Sequence, residues 1–128
     1  MNIKYKFSNL PISIFGFHFD VYYVKNDNTF WYEILASKDD KEYFVCKLDY
    51  AKTYEGIRTF LLKDLANDLK TKYKHLDVKV FKKSIKLNDK LFTLKKPKSN
   101  NDFSAIYDLE VDVYQYIVGL KGKNVLVA

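Results

Sequence analysis

An α+β fold is what the sequence predicts: a single domain over residues 1–128, with a mostly antiparallel twisted sheet packed against one long α-helix. Three observations carry that expectation. Apolar and polar residues alternate along most of the chain, short polar turns separate the alternating runs, and one central stretch changes to a period of three to four.

The N-terminal part reads as a meander. Asn2 to Phe7 suggests an edge strand, with Pro11 marking a break after it. From Ser13 to Val24, Phe15, Phe17, Phe19, Val21 and Tyr23 alternate with Ile14, Gly16, His18, Asp20 and Tyr22, the pattern of one long half-buried strand. The turn Lys25-Asn-Asp-Asn28 leads to a strand over Thr29 to Ala36, and Ser37 to Lys41 leads to another over Glu42 to Tyr50. The period then changes. Tyr54, Ile57, Leu61, Leu65, Leu69 and Tyr73 make the apolar stripe of a helix from Thr53, the expected N-cap, to about Tyr73. Gly56 in its first turn permits a close approach to the sheet.

Alternation returns after His75. Leu76, Val78 and Val80 form one run, Ile85 and Leu87 a second, and Leu91 to Lys95 a third after the turn at Asn88-Asp89. Lys96 to Asp102 is the clearest loop. Ile106 to Val118, IYDLEVDVYQYIV, reads as a further strand, followed by a turn at Gly119 to Lys123 and a short strand over Asn124 to Val127.

Composition narrows the function. The chain has 21 Phe and Tyr residues and a 48% hydrophobic fraction, which exclude disorder as its main state. Cys46 is the only cysteine, so no internal disulfide forms and a reducing, cytoplasmic setting is expected. No stretch reads as a signal peptide or a membrane span. Lysine outnumbers arginine 21 to one, as an AT-rich coding sequence produces by codon bias, so lysine content alone points to no ligand.

Its distribution does. Residues 70–98 hold Lys70, Lys72, Lys74, Lys79, Lys82, Lys83, Lys86, Lys90, Lys95, Lys96 and Lys98 against Asp77 and Asp89, a net of +9 in a chain of net +6. Concentrated positive charge attracts phosphate backbones, and the interleaved Tyr73, Phe81 and Phe92 supply rings on which bases can stack. With a single arginine, base-edge reading of a duplex is not expected. The leading expectation is therefore a non-catalytic protein that binds DNA or RNA with little sequence preference. The competing reading of the same lysines is a solubilising surface.

Two other classes compete. Eleven tyrosines and one tryptophan suggest a protein-binding sheet face, with Trp31, Tyr22, Tyr43, Tyr114 and Tyr116 as candidates. Small proteins of AT-rich phages and mobile elements often inhibit a larger host protein in this way. Asp108, Glu110 and Asp112, spaced two apart, would share a strand face and are the only metal-site candidates. The plainer reading of that face is a solvated one, or one whose acids neutralise the basic hairpin across a ladder. His18 and Asp20 share a strand face and form the one acid/base candidate. No P-loop, GxGxxG, GxSxG or HExxH is present, zinc-type Cys/His spacing is lacking, and no cofactor is expected.

Overall fold

The computed structural model describes residues 2–122 and is α+β, with the element order β1 to β4, α1, β5 to β7, α2. The chain divides into two compact units, Met1–Ile57 and Arg58–Ala128.

In the first unit, β1 (Ile3–Ile14), β2 (Phe17–Lys25), β3 (Phe30–Lys38) and β4 (Lys41–Lys47) form an antiparallel sheet in the order β1-β2-β3-β4. The meander is as the sequence predicts, with two corrections. The run from Ser13 to Val24 is two strands, because Phe15 and Gly16 both adopt positive φ (53° and 82°) and close a two-residue hairpin. Positive φ at both central residues matches the twist of the flanking strands. The alternation continues through the turn, so hydropathy alone could not reveal it. Asp39 and Asp40 close the β3–β4 hairpin in the same way.

Pro11 does not end β1. The strand runs on to Ile14, and Pro11 lies where the register shifts between Asn9 and Ser13. A proline is tolerated there because an edge strand can spare an N–H on its open side. Phe17, Phe19, Val21, Ile34 and Ala36 are buried.

Helix α1 (Thr53–Lys72) begins in this unit. Thr53 does not act as a simple N-cap. Its hydroxyl donates to the Asp49 carbonyl (2.7 Å) and accepts from the Asp49 N–H (2.9 Å), tying the helix start to the preceding turn. Gly56 lies against β4 as its missing side chain suggests: a Cβ there would sit 2.8 Å from Cys46 Sγ.

The second unit takes the rest of α1, a three-stranded antiparallel sheet of β5 (Val78–Val80), β6 (Ser84–Leu87) and β7 (Lys90–Thr93), and α2 (Ser104–Gly122). Leu62, Leu65, Ala66 and Leu69 of α1, Val78, Ile85 and Leu87 of the sheet, and Leu109, Val113 and Ile117 of α2 form one buried cluster.

Here lies the largest correction. The stretch IYDLEVDVYQYIV is helix, and the helix continues through Gly119 to Gly122, where a turn was expected. Ala105, Ile106, Leu109, Val113 and Ile117 are its buried positions, spaced by about one turn of helix. The same residues alternate well enough to suggest a strand, and the β-branched and aromatic content favours one by propensity. Tertiary burial of the one-turn stripe decides for helix. The described residues therefore hold two long helices. The expected strand over Asn124 to Val127 lies outside the described residues.

Candidate nucleic-acid interface

The basic segment falls entirely in the second unit. Strand alternation gives its small sheet two unlike faces. Val78, Ile85 and Leu87 are buried, and Val80 and Phe92 pack against the same cluster. Lys79, Lys86 and Leu91 point the other way and are direct cross-strand neighbours, Lys79 opposite Lys86 and Lys86 opposite Leu91. Leu91 is 55% exposed. Two ammonium groups thus face each other across one ladder, an arrangement that costs stability unless something neutralises it.

Around this pair lie the other lysines. Lys82 and Lys83 occupy the β5–β6 turn, closed by a bond from the Phe81 N–H to the Ser84 carbonyl (2.8 Å). Phe81 is 49% exposed beside them. Lys90 lies over the Phe92 ring at 6.0 Å. Lys95, Lys96 and Lys98 are exposed on the loop after β7. That loop is held in shape by Asp102, whose carboxylate accepts the N–H groups of Lys98 and Ser104, both at 3.0 Å. Those bonds favour the charged form and pull the carboxyl down to about 2. Arg58 donates to the carbonyls of Asn100 (2.9 Å) and Asp102 (3.4 Å) and stacks near Phe103, so the sole arginine is a loop clamp. Among the described residues Lys79, Lys83, Lys86, Lys95 and Lys96 form no ion pair.

Lys70, Lys72 and Lys74 stand apart, at and just beyond the C-terminal end of α1, where positive charge suits the helix dipole. Lys72 is already engaged, 3.0 Å from Asp68 and over the Tyr114 ring. The bond to Asp68 raises its pKa. Tyr73 packs on the core, and the chain leaves the helix before the exposed His75.

Helix geometry separates the three carboxylates that a strand would have aligned. Asp108 and Asp112, one turn apart, border a groove of about 180 Å³ with Leu91, Phe92, Thr93, Lys95, Ala105 and Leu109. Glu110 lies on another side of α2, where burial and then Asp68 push its carboxyl up. Among the described residues no group of three or more His, Cys, Asp and Glu could hold a metal ion. Nor do Asp108 and Asp112 neutralise the basic sheet across a ladder: they approach β7 from a helix and make no ion pair with its lysines.

The Tyr/Trp set does not form one face. Trp31 and Tyr22 share a face of the first sheet, Tyr43 lies on its opposite face, and Tyr114 and Tyr116 are on α2. The polar atoms of Trp31, Tyr22 and Tyr114 are engaged. Trp31 Nε1 donates to Glu33 (2.9 Å) beneath Lys47, and the Tyr22 hydroxyl donates to Glu42 (2.7 Å), which pushes that phenol up to about 12. The Tyr114 hydroxyl donates to Asp68 (3.3 Å), and Tyr116 meets Phe92 edge-on at 5.6 Å. His18 is exposed, Asp20 contacts Lys6 at 3.4 Å, and no hydrogen bond joins His18 to Asp20 among the described residues. What the residue pattern missed is an exposed row on β1: Ile3, Tyr5 and Phe7, beside Phe30. Alternation marks these as one strand face but says nothing of whether that face is covered.

No helix among the described residues is long and apolar enough to cross a membrane. The chain matches no protein-family profile, no curated protein and no solved structure.

Proposed function

We propose that the protein is a non-catalytic nucleic-acid-binding protein that engages the phosphate backbone through the lysines of its second sheet and the loop after it. The observation that carries this reading is the Lys79–Lys86 pair, two like charges held opposite each other without a carboxylate partner among the described residues. A backbone phosphate is a natural counter-charge for such a pair, and its binding releases condensed cations. Phe81 and Leu91, exposed beside the lysines, offer apolar surface to an unstacked base and favour single strands over duplex. With Arg58 occupied, recognition rests on ammonium point charges, which carry little sequence information. A reducing, cytoplasmic setting suits Cys46, half-buried against Gly56 with its thiol pushed up by burial and so poorly nucleophilic.

The test is fluorescence anisotropy with mixed-sequence single-stranded and duplex DNA and RNA over a salt series. Binding that weakens steeply with salt and is abolished in a Lys79→Glu, Lys83→Glu, Lys86→Glu variant supports the assignment. Binding retained in that variant removes the second sheet from consideration.

A further inference from the structure

Strand β7 pairs with β6 alone among the described residues, and α2 is in contact with it. Both elements line the groove of about 180 Å³. Its wall is mixed. Leu91, Phe92 and Leu109 are apolar, Lys95 is cationic, and Asp108 and Asp112 are anionic and one helical turn apart. None of these three charged side chains has an ion pair or a hydrogen bond among the described residues. Leu91 also lies opposite Lys86 on the neighbouring strand, so the groove adjoins the lysine-bearing face of the sheet.

Size and charge narrow the occupant. The volume is below the roughly 300 Å³ at which pockets begin to take drug-sized ligands, and leaves room for one planar ring system. A free cation would approach the two acids against the net +9 of residues 70–98. A neutral base meets no such barrier, and it arrives tethered to phosphates that those lysines attract.

The mixed wall also distinguishes between bases. Ionised carboxylates only accept hydrogen bonds, and an ammonium only donates them. On its Watson–Crick edge guanine sets one acceptor, O6, beside two donors, N1–H and N2–H. Adenine and cytosine put a ring-nitrogen acceptor beside their amino group, and thymine and uracil flank their one N–H with two carbonyls. A carboxylate repels each of those acceptors. We infer that the groove takes a single unstacked guanine of a bound single strand, its N1–H and N2–H donating to the carboxylates of Asp108 and Asp112 and its O6 accepting from the Lys95 ammonium. Such a pocket presupposes the nucleic-acid reading and adds to it a base preference at one position, which phosphate contacts cannot supply.

The probes are short oligothymidylates of equal length, one unaltered and the others carrying a single central guanine, hypoxanthine, adenine or cytosine. Anisotropy with the full chain gives the affinities, and two-dimensional NMR locates the site. Guanine should bind about tenfold tighter than any other central base, including hypoxanthine, which lacks only the N2 amino group. The amides of Asp108, Leu109 and Asp112 should shift with the guanine strand alone. In an Asp108→Asn, Asp112→Asn variant, both sites exposed, the guanine preference should disappear while binding of plain oligothymidylate is kept or strengthened. Equal binding of all strands, equal binding of guanine and hypoxanthine, or a preference that survives in the variant would overturn the pocket and leave the phosphate-binding reading standing. Failure of every strand to bind would overturn both. The same amides responding to n-butylammonium and not to the guanine strand would assign the groove to a cation and overturn the inference.

Discussion

Both units of the chain present lysines on exposed strand faces; several in the first unit have an acid or a ring beside them, Lys25 and Lys41 excepted, while the central ones of the second sheet form no ion pair among the described residues. In the first unit Lys4 contacts Glu33, Lys6 contacts Asp20, Lys47 lies 4.9 Å over the Trp31 ring and Lys38 lies 4.9 Å over the Phe17 ring. In the second, Lys79 faces Lys86, and Lys83, Lys95 and Lys96 have no ion-pair partner among the described residues. The residue type is the same. What distinguishes a structural lysine from one available to a polyanion is whether the fold has already placed an opposite charge or a ring beside it. Exposed ion pairs add at most about 1 kcal/mol each, so the first arrangement is chiefly local bookkeeping of charge. The second leaves a field that only an outside anion can neutralise.

That contrast can be broken in several ways. The largest effect is expected from Lys79→Glu, Lys83→Glu, Lys86→Glu, which should lower nucleic-acid affinity at low salt by roughly two orders of magnitude, since three phosphate contacts become repulsions. Circular dichroism should show an unchanged fold. Next, Asp20→Asn with Glu33→Gln would free Lys6 and Lys4. The first unit should then acquire weak, salt-sensitive binding, read as a several-fold gain in affinity and mapped by cross-linking to residues 1–57. A double variant with no gain would mean that counter-charges do not decide which lysines are available.

Smaller effects sharpen the same point. Lys79→Glu alone replaces a like-charged ladder pair with an opposite one. Urea denaturation should show it more stable than the parent by about 0.2–1 kcal/mol while it binds more weakly. Loss of both stability and binding would point to an ordinary packing role. The acids of α2 provide the last case. Burial and Asp68 hold the Glu110 carboxyl above its ordinary value of 4.5, so stability present below that pH is lost as pH rises through the raised value. Glu110→Gln should therefore be slightly more stable than the parent at pH 7 and indistinguishable from it at pH 3. A destabilised variant at pH 7 would show that the carboxylate makes a favourable contact.

Parts of this arrangement are legible in the residues and parts are not. The meander, the turn at Asn88 and the start of α1 follow from turn chemistry and period, and Gly56 announces a close approach that Cys46 completes. The hairpin at Phe15-Gly16 is hidden because apolar residues on both sides keep the alternation intact. In α2 the period-two pattern of Asp108, Glu110 and Asp112 coexists with the one-turn stripe Ile106, Leu109, Val113 and Ile117, and only packing against the second unit's core selects between them. Asp102, two residues ahead of the start of α2 at Ser104, was the available signal: an acidic residue whose carboxylate bonds the Ser104 N–H is a helix-start device. The excess of charge in residues 70–98 was readable from sequence. Which of those lysines already had partners, Lys72 among them, depended on contacts between residues far apart in the chain or on a helix face.

The most direct test of the central claim compares salt slopes for single-stranded DNA binding in two variants, Lys79→Gln with Lys86→Gln, and Lys4→Gln with Lys47→Gln. Each lysine that contacts a phosphate should contribute about 0.7 to the slope of log K against log salt concentration. The second-sheet variant should flatten the slope by about twice that amount, and the first-sheet variant should leave it at the parent value. Equal flattening by both pairs, or none by either, would contradict the account.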